Sequence, residues 1–251
     1  MITKELLERR WQLLGGMLLA VLTVTAGLVS RSLLGDQMRA PTEEVPEFMR
    51  GQLDMLAGSW DAYAWYQAFN PAQAVGPILI ILAAIIGGSL IASETARSTI
   101  FTLLARPVSR TRVLLTKYAV GAGILLAVAT TGAATMLVVS LLFGHPQPLG
   151  GALVSLLNFW LGSLFALGIA TVFSTVSSDV LRPVAFALVV VLALSAPAFF
   201  QGGSAYVLPA YWSSLPAYLG QEFPWKNLLI SLAGAIVPLL AAVPLFRKQQ
   251  Y

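Results

Sequence analysis

The sequence predicts an all-α integral membrane protein whose six transmembrane helices form a single domain spanning residues 1–251. Composition is the first reason: 57% of the residues are hydrophobic and 10% are charged, with a mean hydropathy of +0.80. An ordinary soluble domain is about one quarter charged. Apolar runs of about 20 residues are the second reason, because that length crosses the hydrocarbon core of a bilayer. The uneven distribution of basic residues among the connections is the third.

The first predicted span, Trp11 to Ser30, follows a charged amphipathic N-terminal segment. This segment contains Glu5 and Arg9, and no small-residue cleavage site clearly follows the apolar run. We therefore expect a retained helix rather than a cleaved signal peptide. The other predicted spans are Val75 to Ser93, Tyr118 to Phe143, Ala152 to Val176, Val184 to Phe200, and Asn227 to Phe246.

Basic residues orient the predicted helices. Six spans place both termini on one side, and all but four of the 15 lysines and arginines would lie on that side. The four exceptions are Arg31, Arg39, Arg50 and Lys226. Short basic connections stay in the cytoplasm, so we expect both termini to be cytoplasmic in a multi-pass protein of the plasma or inner membrane.

Residues 34–73 form the largest predicted segment outside the membrane. Met49, Leu53, Leu56, Trp60 and Tyr63 recur at steps of four and three, which predicts a helix with one apolar face. Such an amphipathic outer helix lies on the outer leaflet or caps the bundle. Alternatively, it is a lid that gates or receives an amphipathic substrate.

A second outer segment, residues 201–225, precedes the last span. Pro209, Pro216 and Pro224 argue against one regular helix there, and Tyr211 and Trp212 make the segment aromatic. Irregular backbone at membrane depth must be buried in protein or line a water-filled cavity. If the segment is re-entrant, it would line the exit of a path.

The fourth predicted span carries a small-residue pattern and one polar residue. Gly162, Ala166, Ala170 and Ser174 fall every four residues, and small residues so spaced let helices approach closely. The contact is either within one subunit or at a seam between subunits. Asn158, one turn earlier, either hydrogen-bonds a neighbouring helix or contacts substrate.

Groups that catalysis requires are missing from the sequence. The chain has one histidine, His145, and no cysteine, which excludes sites built from paired histidines or cysteine thiolates. No pair of carboxylates lies within a predicted span, and no Gly-Lys dipeptide provides a phosphate-binding loop. We expect no catalysis and no bound metal or cofactor. The net charge of +4 is attributed to membrane topology rather than to nucleic-acid binding.

Residues 94–117, hereafter the coupling loop, form a short basic connection between two spans. Ser98 or Thr99 can cap a short helix, Pro107 ends it, and Ser109 can cap the next helix. Exposed apolar residues beside arginines predict that this helix docks on another protein. Its apolar residues are Ile100, Phe101, Leu103 and Leu104, and the basic residues of the loop are Arg97, Arg106, Arg110, Arg112 and Lys117.

This loop resembles the cytoplasmic loop of type-2 ABC exporter permeases. Ser98 stands where that family usually has glycine, and residues 201–225 resemble the family's short re-entrant helices in position. The matching residues are Glu94, Thr99, Leu103, Leu104, Pro107, Val108, Ser109, Arg110 and Lys117.

The resemblance implies the membrane subunit of an ATP-driven transporter. Two copies of the chain would pair in the lipid bilayer, and two separate ATPase subunits holding ATP and magnesium would dock on the coupling loop. Phe101 and Leu104 would supply apolar contacts. Glu94 would pair with a loop arginine or with the N-terminal segment, or would only neutralise local charge. The implied docking residues are Glu94, Arg97, Thr99, Phe101, Leu104, Arg106, Pro107 and Arg110.

The expected substrate is hydrophobic or amphipathic, because the spans are apolar and the outer segments aromatic. A non-transporting membrane anchor or maturation-factor subunit that recruits an ATPase remains an alternative. A secondary transporter is a third, which the lack of mid-membrane charge disfavours. Residues expected along the substrate path are Asn158, Trp60, Tyr63, Tyr211 and Trp212.

Overall fold

The structure is a computed structural model that describes residues 2–34, 59–96, 109–196 and 208–249. Helices and connecting turns make up this part of the chain, and it contains no β-strand. We number the α-helices in chain order and call the 3-10 helix that precedes the last of them η1. The elements are α1 (Ile2–Glu8), α2 (Arg10–Leu34), α3 (Trp60–Phe69), α4 (Val75–Ser89), α5 (Ala92–Ala96), α6 (Arg110–Leu142), α7 (Leu149–Thr175), α8 (Leu181–Ser195), η1 (Leu208–Trp212), α9 (Leu215–Tyr218) and α10 (Trp225–Lys248).

Among the described helices, α2, α6, α7 and α10 are long and apolar enough to cross a membrane. The apolar helices α4 and α8 are shorter, with 15 residues each. Fifteen residues extend about 22 Å, which is less than the ~30 Å hydrocarbon core. Each of these six helices coincides with a predicted span. The all-helical, multi-span class is therefore confirmed, whereas six crossings and the orientation of the termini stay predictions.

The centre of the fold is α7, which packs against α4, α6, α8 and α10. Two glycines allow backbones to approach closely there. A Cβ on Gly168 would lie 2.8 Å from the Cβ of Pro238 on α10. A Cβ on Gly87 of α4 would lie 2.5 Å from the carbonyl oxygen of Leu167. The small residues of α7 thus position the helices around it.

The helix α3 is enclosed by the rest of the fold. Ser59 caps it by accepting a hydrogen bond from the backbone N–H of Ala62, and residues 62–69 are all buried. This helix shares only Trp60 and Tyr63 with the predicted stripe, and α2, α4, α6 and α7 pack around it. The amphipathic outer helix therefore stays a prediction. Met49, Leu53 and Leu56, the first residues of the predicted stripe, lie outside the described residues.

The short elements η1 and α9 precede α10, in agreement with the irregular structure that the prolines predict. Trp212 and Tyr218 are almost completely buried. The Tyr218 hydroxyl donates to Gln147 Oε1 at 2.6 Å, and Gln147 Nε2 donates to Asp61 Oδ1 at 3.0 Å. Burial, with a smaller contribution from the Asp61 carboxylate, raises the pKa of Tyr218. These contacts attach the segment to α3 and to the α6–α7 turn.

Candidate functional site

The structure describes both edges of the coupling loop. Glu94 lies on α5, where the chain enters the loop, and Arg110 begins α6, where the chain leaves it. Most of the predicted docking residues lie between these edges, outside the described residues. These are Arg97, Thr99, Phe101, Leu104, Arg106 and Pro107.

Lys117 joins three helices at the base of the loop. Its Nζ lies 2.7 Å from Glu5 Oε1 on α1 and 3.0 Å from Glu94 Oε1 on α5. The Lys117 side chain is only 2% exposed, and that of Glu5 is 6% exposed. A buried ammonium is stable when opposite charges and hydrogen bonds replace its water. The two carboxylates therefore hold α1 and α5 against α6.

Arg9, between α1 and α2, extends this ionic network to the end of α4. Its Nε lies 3.8 Å from Glu5 Oε2, and its Nη1 donates to Ser89 Oγ at 2.9 Å. Burial lowers the pKa of Arg9, and nearby carboxylates, above all that of Glu5, oppose this shift. Two acids and two bases thus balance in formal charge. We call Glu5, Arg9, Glu94 and Lys117 the Lys117 cluster.

The exit of the loop is attached to the C-terminal end of α10. Ser109 caps α6 by accepting a hydrogen bond from the backbone N–H of Arg112, as its position before the helix predicts. Arg110 Nη1 donates to the carbonyl oxygen of Gln249 at 2.6 Å and to that of Phe246 at 3.4 Å. A cation near the last carbonyls of a helix is favourable. The loop therefore leaves from a fixed point.

Ser174 of α7 holds the break between α4 and α5. Its hydroxyl donates to the carbonyl oxygen of Gly88 at 2.8 Å and accepts from the backbone N–H groups of Ile91 and Ala92 at 3.0 and 2.9 Å. The predicted second span, Val75 to Ser93, is therefore interrupted after Ser89. A single buried hydroxyl satisfies backbone groups that the broken helix leaves without partners.

The other small residues of the α7 pattern also make contacts within this chain. A Cβ on Gly162 would lie 2.2 Å from Cγ of Trp212, so the glycine makes room for the indole ring. Ala166 and Ala170 are fully buried. A Cβ on Gly87 would lie 2.8 Å from the Cβ of Ala170. Gly162 and Ala170 therefore have contacts within one subunit, and a seam between subunits stays a prediction.

Asn158, Tyr211 and Trp212 come together where η1 crosses α7. Asn158 Nδ2 donates to the carbonyl oxygen of Tyr211 at 2.9 Å, and Ser231 Oγ donates to the same oxygen at 3.4 Å. Asn158 Oδ1 and Trp212 Nε1 are buried and make no hydrogen bond. We call Asn158, Gly162, Tyr211 and Trp212 the Trp212 cluster. Its polar groups are thus only partly satisfied.

Trp60 and Tyr63, the remaining predicted path residues, face the end of α2. The Tyr63 hydroxyl donates to the carbonyl oxygen of Gly27 at 2.9 Å. The Arg31 guanidinium lies 4.7 Å from the centroid of the Tyr63 ring and 5.5 Å from that of Trp60. His145 stacks on Trp60 at 4.4 Å. The polar and ring contacts of these two residues are therefore made with α2 and with the α6–α7 turn.

The pairing of Glu94 with Lys117 is not among the roles that the resemblance implies for Glu94. Those roles are a pair with a loop arginine, a pair with the N-terminal segment, or neutralisation of local charge, whereas in the structure Glu94 pairs with a loop lysine. The signal for this pair in the sequence is the position of both residues relative to the apolar runs. Glu94 follows the second run and Lys117 precedes the third, so antiparallel neighbouring helices place both at the same level.

The described groups are suited to holding helices rather than to reacting. The charges of the Lys117 cluster neutralise one another. Within residues 2–34, 59–96, 109–196 and 208–249, no three histidine, aspartate or glutamate side chains are grouped so that they could hold a metal ion.

Comparison with known proteins identifies a family. A family model described as ABC-2 family transporter protein matches residues 1–213. The matched region begins with α1 and ends just after η1, so it includes both the Lys117 cluster and the Trp212 cluster. No curated protein matches the chain significantly, and no solved structure does.

Proposed function

Since the chain belongs to the ABC-2 family of transporter proteins, we propose that it is the membrane-spanning permease subunit of an ATP-driven exporter. It crosses the membrane six times with both termini in the cytoplasm. Two copies pair, and each binds a separate ATPase subunit that holds ATP and magnesium. Membrane subunits of this family are generally not catalytic, so hydrolysis belongs to the partner.

The observation that supports this proposal most is the attachment of both edges of the coupling loop to fixed helices. The entry is held by Glu94 through Lys117, and by Ser174 through the α4–α5 break. The exit is held by the Ser109 cap and by Arg110. A displacement of the loop by the ATPase would therefore reach α4, α6 and α7 together, as a rigid-body switch requires.

In this proposal, Phe101 and Leu104 bury apolar surface in the ATPase, and Arg97 and Arg106 reach acidic groups beside them. The substrate is hydrophobic or amphipathic. Tyr211 and Trp60, which are partly exposed, are the path residues that a substrate reaches first. Asn158 and Trp212 are buried in the described state, so they contact substrate only after η1 moves.

The docking step is tested by copurification with a co-expressed candidate ATPase subunit. The double variant Phe101→Asp/Leu104→Asp should lose the ATPase and still insert in the membrane. Each fully buried apolar side chain contributes about 1.5–3 kcal/mol, and a carboxylate in its place would be desolvated. The matched control is Leu219→Asp, which changes a partly exposed leucine at the proposed outer end and should retain the ATPase.

Retention of the ATPase by the double variant would show that the loop is not the docking element. Transport is separated from anchoring by a second measurement, the ATPase activity of the purified complex in lipid. A panel of hydrophobic and amphipathic compounds should alter that activity, because ligands shift an equilibrium between two states that they bind differently. Activity that no compound changes would favour a membrane anchor.

A further inference from the structure

An open groove of about 770 Å³ lies on the surface where α1, the N-terminal half of α6 and the C-terminal end of α10 meet. It adjoins the exit of the coupling loop, because Ser109 is among its lining residues. The side of the groove formed by α1 consists of Ile2 and Leu6, which are 58% and 41% exposed. None of the proposed docking residues and none of the proposed path residues is among those that line this surface.

One end of the groove is basic. Arg112 of α6 and Arg247 of α10 line it, and no acidic side chain is among the described residues that do so. Arg247 Nε donates to Thr111 Oγ1 at 2.8 Å, which keeps the two arginines on the same side of the α6–α10 contact. Two guanidinium groups beside hydroxyls suit a phosphate oxyanion, which accepts charge-assisted hydrogen bonds.

The groove continues from the arginines along an apolar surface of α6. Leu115, Ala119 and Gly123 line it, and nothing lies within 4 Å of a Cβ built on Gly123. Arg112 and Gly123 are 11 residues apart in one helix, which corresponds to about 16 Å along its axis, or about half of the ~30 Å hydrocarbon core. The length therefore matches one leaflet.

We propose that this groove binds an anionic phospholipid of the cytoplasmic leaflet. The phosphate lies between Arg112 and Arg247, and one acyl chain follows α6 from Leu115 to Gly123. Basic pockets between helices on the cytoplasmic side suit anionic headgroups. The leaflet assignment rests on the proposed function, because the proposed orientation places the start of α6 in the cytoplasm. A lipid seated there stabilises α1 against α6 and α10, next to the Lys117 cluster.

The test uses the full chain without its ATPase in phosphatidylcholine membranes. Spin-labelled phosphatidylglycerol and spin-labelled phosphatidylcholine are the probes, and electron spin resonance gives their relative association constants. The wild type should prefer phosphatidylglycerol. Arg112→Gln and Arg247→Gln should each reduce that preference about fivefold, the contribution of one arginine near an anionic surface.

The matched charge control is Arg182→Gln. Arg182 is exposed, pairs with Asp179 at 3.5 Å, and lies on the same proposed side but outside the groove. This variant should change the preference by less than about twofold, because salt screens distant exposed charges. An equal loss in Arg182→Gln and Arg112→Gln would show a diffuse charge effect and overturn the site.

A second variant tests the acyl half of the groove without changing charge. Gly123→Leu fills the open space and should abolish the preference. Gly15→Leu is its control, because nothing lies within 4 Å of a Cβ on Gly15 either and Gly15 does not line the groove. Unchanged selectivity in Gly123→Leu would overturn the acyl position.

Two further outcomes identify a different occupant. Inorganic phosphate that displaces spin-labelled phosphatidylglycerol at low millimolar concentration would show a phosphate site only. A Gly123→Cys disulfide between two copies would show that a second copy covers the groove, and would also overturn the proposal. Because no ATPase or transport is measured, loss of docking or transport leaves this result standing. A periplasmic or extracellular Ser109 reporter would refute the proposed orientation and with it the cytoplasmic leaflet, whereas the preference for phosphatidylglycerol would stand.

Discussion

The two ends of α7 hold the bundle together by different physical means. Near Ser174, the fold depends on charges and on backbone hydrogen bonds, since Lys117 pairs with Glu5 and Glu94 while Ser174 closes the α4–α5 break. From Gly151 to Gly162, which we call the aromatic end, the fold depends on close steric packing. The chain of α9 at Tyr218 lies directly on Gly151, and the Trp212 ring of η1 lies directly on Gly162. A charged side chain can exchange one oppositely charged partner for another. A close contact with the backbone of a glycine, by contrast, is possible in only one relative position of the two elements.

This difference suits the proposed roles of the two ends. The Lys117 cluster joins α1, α5 and α6 through a few ion pairs. It can rearrange as a unit when the coupling loop is displaced, because each ion pair can break and form again with another charged group. The aromatic end packs large rings against small residues, and it opens only if η1 moves away from α7. The following predictions test whether charge dominates one end and shape the other, from the largest expected effect to the smallest.

The largest effect is expected for Lys117→Met. Removing one partner from a buried ion pair costs about 3–5 kcal/mol, because a buried charge loses the partner that replaced its water. Here Glu5 and Glu94 would face each other in a buried site. The measurement is the thermal unfolding temperature of the purified protein, with size-exclusion chromatography as the method that monitors unfolding. Lys248→Met, which removes an exposed lysine near the end of α10, should leave the unfolding temperature nearly unchanged.

A compensating variant separates lost charge from lost packing at Lys117. Glu94→Gln/Lys117→Met removes one acid and one base together and leaves Glu5 opposite Arg9, and replacing a whole buried ion pair is often close to neutral. It should therefore recover most of the stability that Lys117→Met loses. If the double variant unfolds as early as the single variant, packing of the lysine stem rather than charge holds this end.

The next effect is expected at Gly151, at the aromatic end. A Cβ on Gly151 would lie 1.8 Å from the carbonyl oxygen of Tyr218, so the backbone of α9 must shift in Gly151→Ala. Overpacking of this kind costs about 1–3 kcal/mol, sometimes more. The control is its neighbour Gly150→Ala, because nothing lies within 4 Å of a Cβ there. Equal unfolding temperatures for the two variants would contradict the role of shape.

The same contrast explains which features the sequence could predict. Hydropathy places all six apolar helices, and the serine before Arg110 predicts the start of α6, because these are local properties of the chain. The spacing of Met49 to Tyr63 predicts one apolar face, but it does not predict that α3, which begins at Trp60, is enclosed. Periodicity says nothing of how many neighbours surround a helix. The Lys117 cluster joins residues far apart in sequence, and only the antiparallel arrangement of the helices brings them together.

The third effect concerns Ser174→Ala, which removes three hydrogen bonds at the α4–α5 break. Leaving a buried backbone group without a partner costs about 1–3 kcal/mol, so we expect a loss of about 2 kcal/mol after local relaxation. Thr171→Ala is the control, because the Thr171 hydroxyl donates only to Leu167 within its own helix. In the complex, Ser174→Ala should also weaken the response of the ATPase to transported compounds, whereas Thr171→Ala should not.

The smallest effect on stability is expected for Asn158→Leu, which tests whether polar groups matter at the aromatic end. The substitution removes the hydrogen bond from Nδ2 to the Tyr211 carbonyl, but that carbonyl keeps the longer bond from Ser231. It also removes Oδ1, which is buried without a partner in the described state. A net hydrogen bond contributes about 0.5–1.5 kcal/mol, and an unsatisfied buried acceptor costs about as much. The two terms oppose each other, so the unfolding temperature should change little.

The main effect of Asn158→Leu should be on the stimulation of the ATPase by transported compounds, because Asn158 lies on the proposed substrate path. A substrate that reaches this site after η1 moves would find an unpaired amide oxygen in the native protein and only apolar groups in the variant. Stimulation of the ATPase by compounds with hydrogen-bond donors should therefore fall, while stimulation by purely apolar compounds persists. Asn227→Leu is the matched control. Asn227 also donates to a backbone carbonyl, that of Ser213, at 3.1 Å, but it lies in the first turn of α10 and is not part of the Trp212 cluster. Identical stimulation profiles for both variants would assign Asn158 to helix packing alone, and a large loss of stability would show that its amide oxygen is satisfied in the assembled transporter.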